Sequence, residues 1–414
     1  MSPFQLAAIF VVLVACGSWI NARTARLPRE VAMLLVGLAG ALTLKAISRF
    51  EPGLAASAAA ISAIDRIDFA DTVLGYMLGF LLFAGALQVD LEQMRKRLVS
   101  ISVLATAGVS ASILVVGLGL WSAAALLRLP LSLPWALVFG ALISPTDPIA
   151  VLATVRRGHL PKPLQVIMQG EALFNDGVGI VAFTYLLALA VGTGFESPTR
   201  LLGVVFIDAA GGLLLGLAAG VVAIRLMRAI DDFAVEVMLS VALCMGVYAL
   251  AQALHLSGPI GVVGAGLLIG NESKHIVMSE TTRVYLQNFW TMVDELLNAT
   301  LFLLLGFEML VVPFRIEEAG LALAAIALVL FARSLVVAPW AIFLGFRHRL
   351  RGAGVTLVWG GLHGALSLAL ALSIPRGPEK ALILGATYAV VAFSMIVQGL
   401  TFGPLTASIK RASQ

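Results

Sequence analysis

The chain has 414 residues, of which 60% are hydrophobic and only 12% charged, with a mean hydropathy of +1.01. Soluble domains carry about 25% charged residues, so this composition excludes an ordinary water-soluble enzyme and predicts an all-α, polytopic helical membrane protein. The net charge of +4 does not point to nucleic acid, because the basic residues are spread over short links between apolar runs.

About thirteen spans are predicted, near 4–20, 30–49, 69–90, 98–127, 134–155, 163–191, 199–228, 233–254, 258–271, 286–311, 319–346, 354–374 and 379–405. Eighteen of the 27 Lys and Arg fall on one side of this pattern, beginning with Arg23, Arg26 and Arg29 and ending with Lys410 and Arg411. Basic residues are retained in the cytoplasm, which predicts an N-terminus outside and a C-terminus inside. The whole chain, 1–414, reads as a single transmembrane domain with no soluble regulatory domain. No phosphate-cradling GxxxxGK[ST] run occurs, so uphill transport is expected to draw on an ion gradient. Cys16 and Cys244 lie too far apart in sequence to suggest a disulfide framework or a zinc site. No cofactor and no enzymatic activity are expected, since HExxH is absent and the aspartates sit beside Pro and Asn rather than in a catalytic pair.

Two halves of six spans, about 1–191 and 233–405, are separated by a linker helix at about 199–228. Each half has an interrupted helix in its fifth place. Pro145 and Pro148 break the first; Gly360, Gly361 and Gly364 break the second. Paired Gly/Pro interruptions in two inverted repeats point to a binding site near the bilayer midplane.

The interruption in span 5 lies in Ser144-Pro145-Thr146-Asp147-Pro148. Proline removes a backbone donor and frees a carbonyl one turn earlier, and backbone opened at membrane depth must line a cavity or be re-paired by neighbours. Those carbonyls, Thr146 and Asp147 are hard oxygen ligands; the plainer reading is a kinked helix capped by the same two side chains. Span 6 carries Gly170-Glu171-Ala172-Leu173-Phe174-Asn175-Asp176-Gly177. Glu171 and Asn175 share a helix face, whereas Asp176 points elsewhere. Arg333 is the one basic residue deep in an apolar run, where an unpaired guanidinium is costly. A Glu171–Arg333 pair is therefore expected, leaving Asp176 for an ion path, unless Arg333 snorkels to the surface. A carboxylate in a cavity holds a proton or a small cation but not both, and that exclusion is an exchange mechanism. Asp294 and Glu295 in span 10 line an inner vestibule or belong to a solvated helix end. His363, in the break of span 12, has a side chain able to sense pH, although a satisfied core histidine is the plainer reading. Glu308 and Asp208 are read as structural or interfacial.

SPTDPIAVL, GEALFNDGVGIV, the isolated Arg333 and WGGLHGALSLALAL follow one another in order. Together they resemble bacterial sodium/proton antiporters of the monovalent cation:proton antiporter-1 family, relatives of the animal sodium/proton exchangers. The resemblance covers essentially the whole chain. It implies thirteen helices with spans 5 and 12 unwound and crossing, a mobile core bundle on a dimerisation scaffold, and a homodimer in the lipid bilayer. It also implies Asp176 as the ion- and proton-carrying residue, Thr146 and Asp147 at the crossing, Asn175 as its support, and Glu171–Arg333 as a buried structural pair. Transported Na⁺ would then sit at Asp176, Asp147 and Thr146. The Asn175–Asp176 pair implies electroneutral exchange of one Na⁺, or of Li⁺ in its place, for one H⁺. The alternatives are a K⁺/H⁺ antiporter of the same mechanism and a transport-inactive membrane sensor. This sequence departs from the family pattern at His363, where arginine is usual, at Ala84, where many members have Glu, and at Ala172, where some have serine.

Overall fold

The computed structural model describes residues 3–50, 69–147, 161–192, 198–272, 279–308, 318–348 and 352–413. Among them the chain is helical, without strands. Nine of the described helices are long and apolar enough to cross a membrane by length and composition. Pro148 and the second half of the fifth predicted span lie outside the described residues, as do parts of the links at 51–68 and 273–278.

The helices follow the predicted spans closely. The chain begins with α1 (Pro3–Arg23) and α2 (Arg29–Phe50), then α3 (Phe69–Gln88). A short α4 (Leu91–Arg95) sits in a link where the apolar pattern predicts no element. It is started by Asp90, whose side chain accepts from the backbone of Glu92 and Gln93. Next come α5 (Leu98–Leu126), α6 (Leu133–Ile143), α7 (Lys162–Val191), α8 (Pro198–Arg228), α9 (Phe233–Ala253) and α10 (Gly258–Glu272). Helix α11 (Glu280–Glu308) starts earlier than residue 286, where the apolar run begins, because a polar first turn extends a helix without adding apolar signal. Helix α12 (Ala319–His348) runs through Pro339. The twelfth predicted span is two pieces, α13 (Ala353–Trp359) and α14 (Ala365–Ser373). The last is α15 (Pro378–Phe393) and α16 (Gly399–Ser413), joined by a π-helical turn at Ser394–Gln398.

Two apolar cores organise these helices. One gathers Phe139 and Ile143 of α6, Phe302 of α11, and Leu368 and Ile383 of the C-terminal helices. The other gathers Phe83 of α3, Cys244 of α9, Ile269 of α10 and Trp290 of α11. Trp290 is fully buried, and its indole N–H donates to Ser240 Oγ at 2.9 Å, which satisfies the one polar atom that its burial would otherwise strand. Helices α2 and α11 form one of the most extensive pairings in the molecule. Their backbones approach closely at Gly37 and Gly306, where a Cβ on Gly37 would lie 3.0 Å from the Gly306 Cα. Small residues of this kind permit tight helix contact in lipid, where no hydrophobic force drives helices together.

Candidate functional site

The two interrupted helices meet. Helix α6 stops at Ile143, and Ser144 turns its hydroxyl back to Gly140 O at 2.6 Å. Helix α13 stops at Trp359, and Gly364 is extended at φ −114° and ψ −158° before α14 begins. Across the gap, the Asp147 backbone N–H donates to Leu362 O at 2.7 Å. His363 Nδ1 lies 3.1 Å from Pro145 O, so each break supplies groups that the other lacks. Ser394 Oγ accepts the His363 backbone N–H at 2.9 Å and donates to Gln398 Oε1 at 2.9 Å, while Gln398 Nε2 donates to Trp359 O at 3.3 Å. Freed backbone at membrane depth is thus re-paired by protein. Ser394 and Gln398 are the residues that sequence reasoning misses, since two polar side chains in a long apolar helix carry no signal of the break that they serve.

A Cβ on Gly364 would collide with the Asp147 side chain. Gly364→Ala is therefore expected to push the two breaks apart and to cost about 1–3 kcal/mol, the usual scale of overpacking. A fall in thermal stability in detergent measures it, and an unchanged melting temperature would contradict the close crossing.

Asn175 of α7 is fully buried. Its Nδ2 donates to Thr146 Oγ1 at 2.9 Å, and its Oδ1 lies 3.5 Å from the Thr146 backbone N–H. It therefore holds Thr146 through both side chain and backbone. One turn earlier, Glu171 is buried and receives both terminal nitrogens of Arg333, from Nη1 to Oε1 and from Nη2 to Oε2, the latter at 3.1 Å. Arg333 Nε also donates to Leu357 O at 3.2 Å. The guanidinium thus ties α7, α12 and α13 together just before the break. A bidentate pair with a third bond to a carbonyl uses the planar donor set of arginine in a way that lysine cannot copy.

Asp176 faces away from this pair. With Thr146 and Asp147 it lines a cavity of about 540 Å³. At roughly 30 Å³ per water, that volume accommodates about eighteen waters or a hydrated ion. Asp147 lies close enough to act electrostatically on Asp176. Helices α2 and α11 also line it, through Glu30, Asp294, Glu295 and Asn298. Asp294 lies well inside α11 and is buried, with Asn298 Nδ2 donating to its Oδ1 at 2.9 Å. Asp294 and Glu295 both line the cavity, Asp294 buried and Glu295 partly exposed. His363 is buried beside the crossing and is not among the lining residues of the cavity. Ala84 is fully buried, and Ala172 lines the cavity as a methyl group. Asp208 accepts from Tyr185 Oη at 3.4 Å, and Glu308 is buried; neither lines the cavity.

An all-helical membrane protein in which two broken helices cross beside a carboxylate-lined cavity has the build of an ion-coupled secondary transporter. A profile of the transmembrane sodium/hydrogen exchanger family matches residues 9–408. The chain belongs to that family and, within it, to the bacterial monovalent cation:proton antiporter-1 group. It is 42% identical to the Na⁺/H⁺ antiporter NhaP of Pseudomonas aeruginosa, over 98% of this chain and 96% of that one. It is 36% identical to the Na⁺/H⁺ antiporter NhaH of Halobacillus aidingensis, over 97% and 95%. The solved structure of the sodium proton antiporter MjNhaP1 from Methanocaldococcus jannaschii superposes with a TM-score of 0.73 at 20% identity, covering 98% of each chain; it shares the fold.

Proposed function

We propose that this protein exchanges Na⁺, or Li⁺ in its place, for H⁺ by alternating access, with Asp176 binding either cation or proton. The observation that carries this reading is the position of Asp176, which lines a cavity of about 540 Å³ together with Thr146 and Asp147, while Asn175 and the Glu171–Arg333 pair are occupied in holding the crossing. Asp176, Asp147 and Thr146 offer the hard oxygen ligands that an alkali cation requires. Asn175 supports the crossing, and Glu171–Arg333 fixes the bundle that moves. His363, buried in the crossing with its ring on Pro145 O, fits the plainer reading of a satisfied core histidine better than that of a pH modulator.

Exchange is electroneutral, one cation for one proton. Each pH unit across the membrane then supplies about 1.4 kcal/mol per proton, enough to balance about a tenfold cation gradient. The protein works as a homodimer in the bacterial inner membrane, N-terminus outside and C-terminus in the cytoplasm, with the cavity reached from the side of the Arg23–Arg29 link. The chain is one transport domain built of two inverted repeats. The family and the relatives named Na⁺/H⁺ antiporters support the cation assignment.

The test uses purified protein in liposomes with an imposed pH gradient and a pH-sensitive dye. Addition of Na⁺ or Li⁺ should collapse the gradient, at the same rate with the membrane potential free or clamped. A response to K⁺ alone would reassign the cation, and a rate that changes under the clamp would remove electroneutrality.

A further inference from the structure

Glu30 stands in the first turn of α2 and takes no part in the exchange site at Asp176. Its residue is 8% exposed, it lines the cavity, and its Oε2 has no hydrogen-bond partner among the described residues. A carboxylate near a helix N-terminus gains from the helix dipole, but that does not satisfy the second oxygen. Leaving a charged oxygen dry and unpaired is costly.

The charged groups that act on Glu30 come from three elements: Arg29 beside it, Glu295 on α11 and Asp147 at the crossing. The one cation of the three is engaged elsewhere, since Arg29 Nη1 reaches Glu295 Oε2 at 2.5 Å. The backbone leading into α2 is held firmly: Asn21 Nδ2 donates to Leu27 O at 3.0 Å, and Leu27 N–H donates to Asn21 Oδ1 at 3.0 Å. Ala32 N–H then donates to Pro28 O at 3.0 Å. Glu30 thus lines the cavity on a backbone held by these bonds. The cavity carries five carboxylates, at Glu30, Asp147, Asp176, Asp294 and Glu295, against the guanidinium groups of Arg26 and Arg29. Such an excess concentrates cations.

We propose that Glu30 anchors a second monovalent-cation site, on the α2–α11 wall of the cavity, which receives the ion before it passes to Asp176; the order of events rests on the antiport reading, the site itself does not. The chemistry is that of a hard, hydrated alkali cation held by one carboxylate oxygen with waters completing its shell. Because Glu30 is carried by α2 and Asp176 by α7, and Asp176 is not among the charged groups that act on Glu30, the site survives neutralisation of the exchange carboxylate.

Two measurements on the purified full-length protein test this. In thermal unfolding with NaCl against choline chloride at equal ionic strength, Asp176→Asn should retain a Na⁺-specific rise in melting temperature, and Asp176→Asn with Glu30→Gln should lose it. Loss of the rise in Asp176→Asn alone, or its persistence in the double variant, would overturn the proposal, as would a rise given only by Mg²⁺ or Ca²⁺. In liposomes, Glu30→Gln should raise the KM for Na⁺ about fivefold while the maximal rate stays within about twofold, and Glu30→Asp should keep the wild-type KM. A fall in rate at unchanged KM would make Glu30 a structural residue only. Glu30→Ala gives the same readouts if the glutamine form aggregates. A wild type that exchanges no cation, alongside an Asp176→Asn protein that Na⁺ still protects, would end the antiport reading and leave this site standing.

Discussion

Asp176→Asn is expected to abolish Na⁺-driven proton movement in liposomes, a loss of at least about a hundredfold, or about 2.7 kcal/mol in rate terms. The amide keeps the shape of the side chain and its place on the cavity wall. What it loses is the ability to gain and release a proton, and the negative charge that draws a cation. Folding should survive, because Asn175 and Glu171, which hold α7 to its neighbours, are untouched. A melting temperature within a few degrees of wild type, with exchange absent, is the expected pair of results. Asp147→Asn provides the contrast. Should that variant be the silent one while Asp176→Asn exchanges normally, Asp147 is the carrier and Asp176 is not.

Breaking the Glu171–Arg333 pair should have the largest effect on stability. Removing one partner of a buried ion pair costs about 3–5 kcal/mol, because the survivor is left charged without compensation. Both groups are deeply placed, with side chains 2% exposed for Glu171 and 12% for Arg333. Arg333→Ala removes in addition the bond to Leu357 O, so it should be the more damaging single change. Replacing both residues, Glu171→Leu with Arg333→Met, fills the space with apolar atoms and should recover much of the loss, since a buried pair is often no better than a matched hydrophobic one. Thermal unfolding in detergent of the two single variants and the double decides the matter. Strictly additive losses would mean that the two side chains do not depend on each other.

The helices are plainly legible in the sequence, because hydrocarbon demands long apolar runs and tolerates little else. The polar start of α11 and the short α4 are not, since no such demand applies there. Asp147, Asn175 and Asp176 are conspicuous for the same reason: polar groups in apolar helices are expensive and therefore rare. Glu30 is invisible by that logic. An acid in the first turn of a helix is ordinary, and nothing in Pro28-Arg29-Glu30-Val31 says that α11 folds over it. Asp294 and Glu295 are ambiguous because hydropathy places a residue along a helix but says little about which neighbour covers it.

By itself, then, the order of residues determined which segments leave water, where two of them must break, and which side chains are too polar to lie idle there. It could not determine pairing across the breaks. The bond from Asp147 N–H to Leu362 O and the hold of Ser394 on His363 join groups by position in space. A helix is specified locally, through bonds made within four residues. A crossing of two unwound segments is specified by carbonyls and donors that find partners hundreds of residues away, and only the packed bundle decides which.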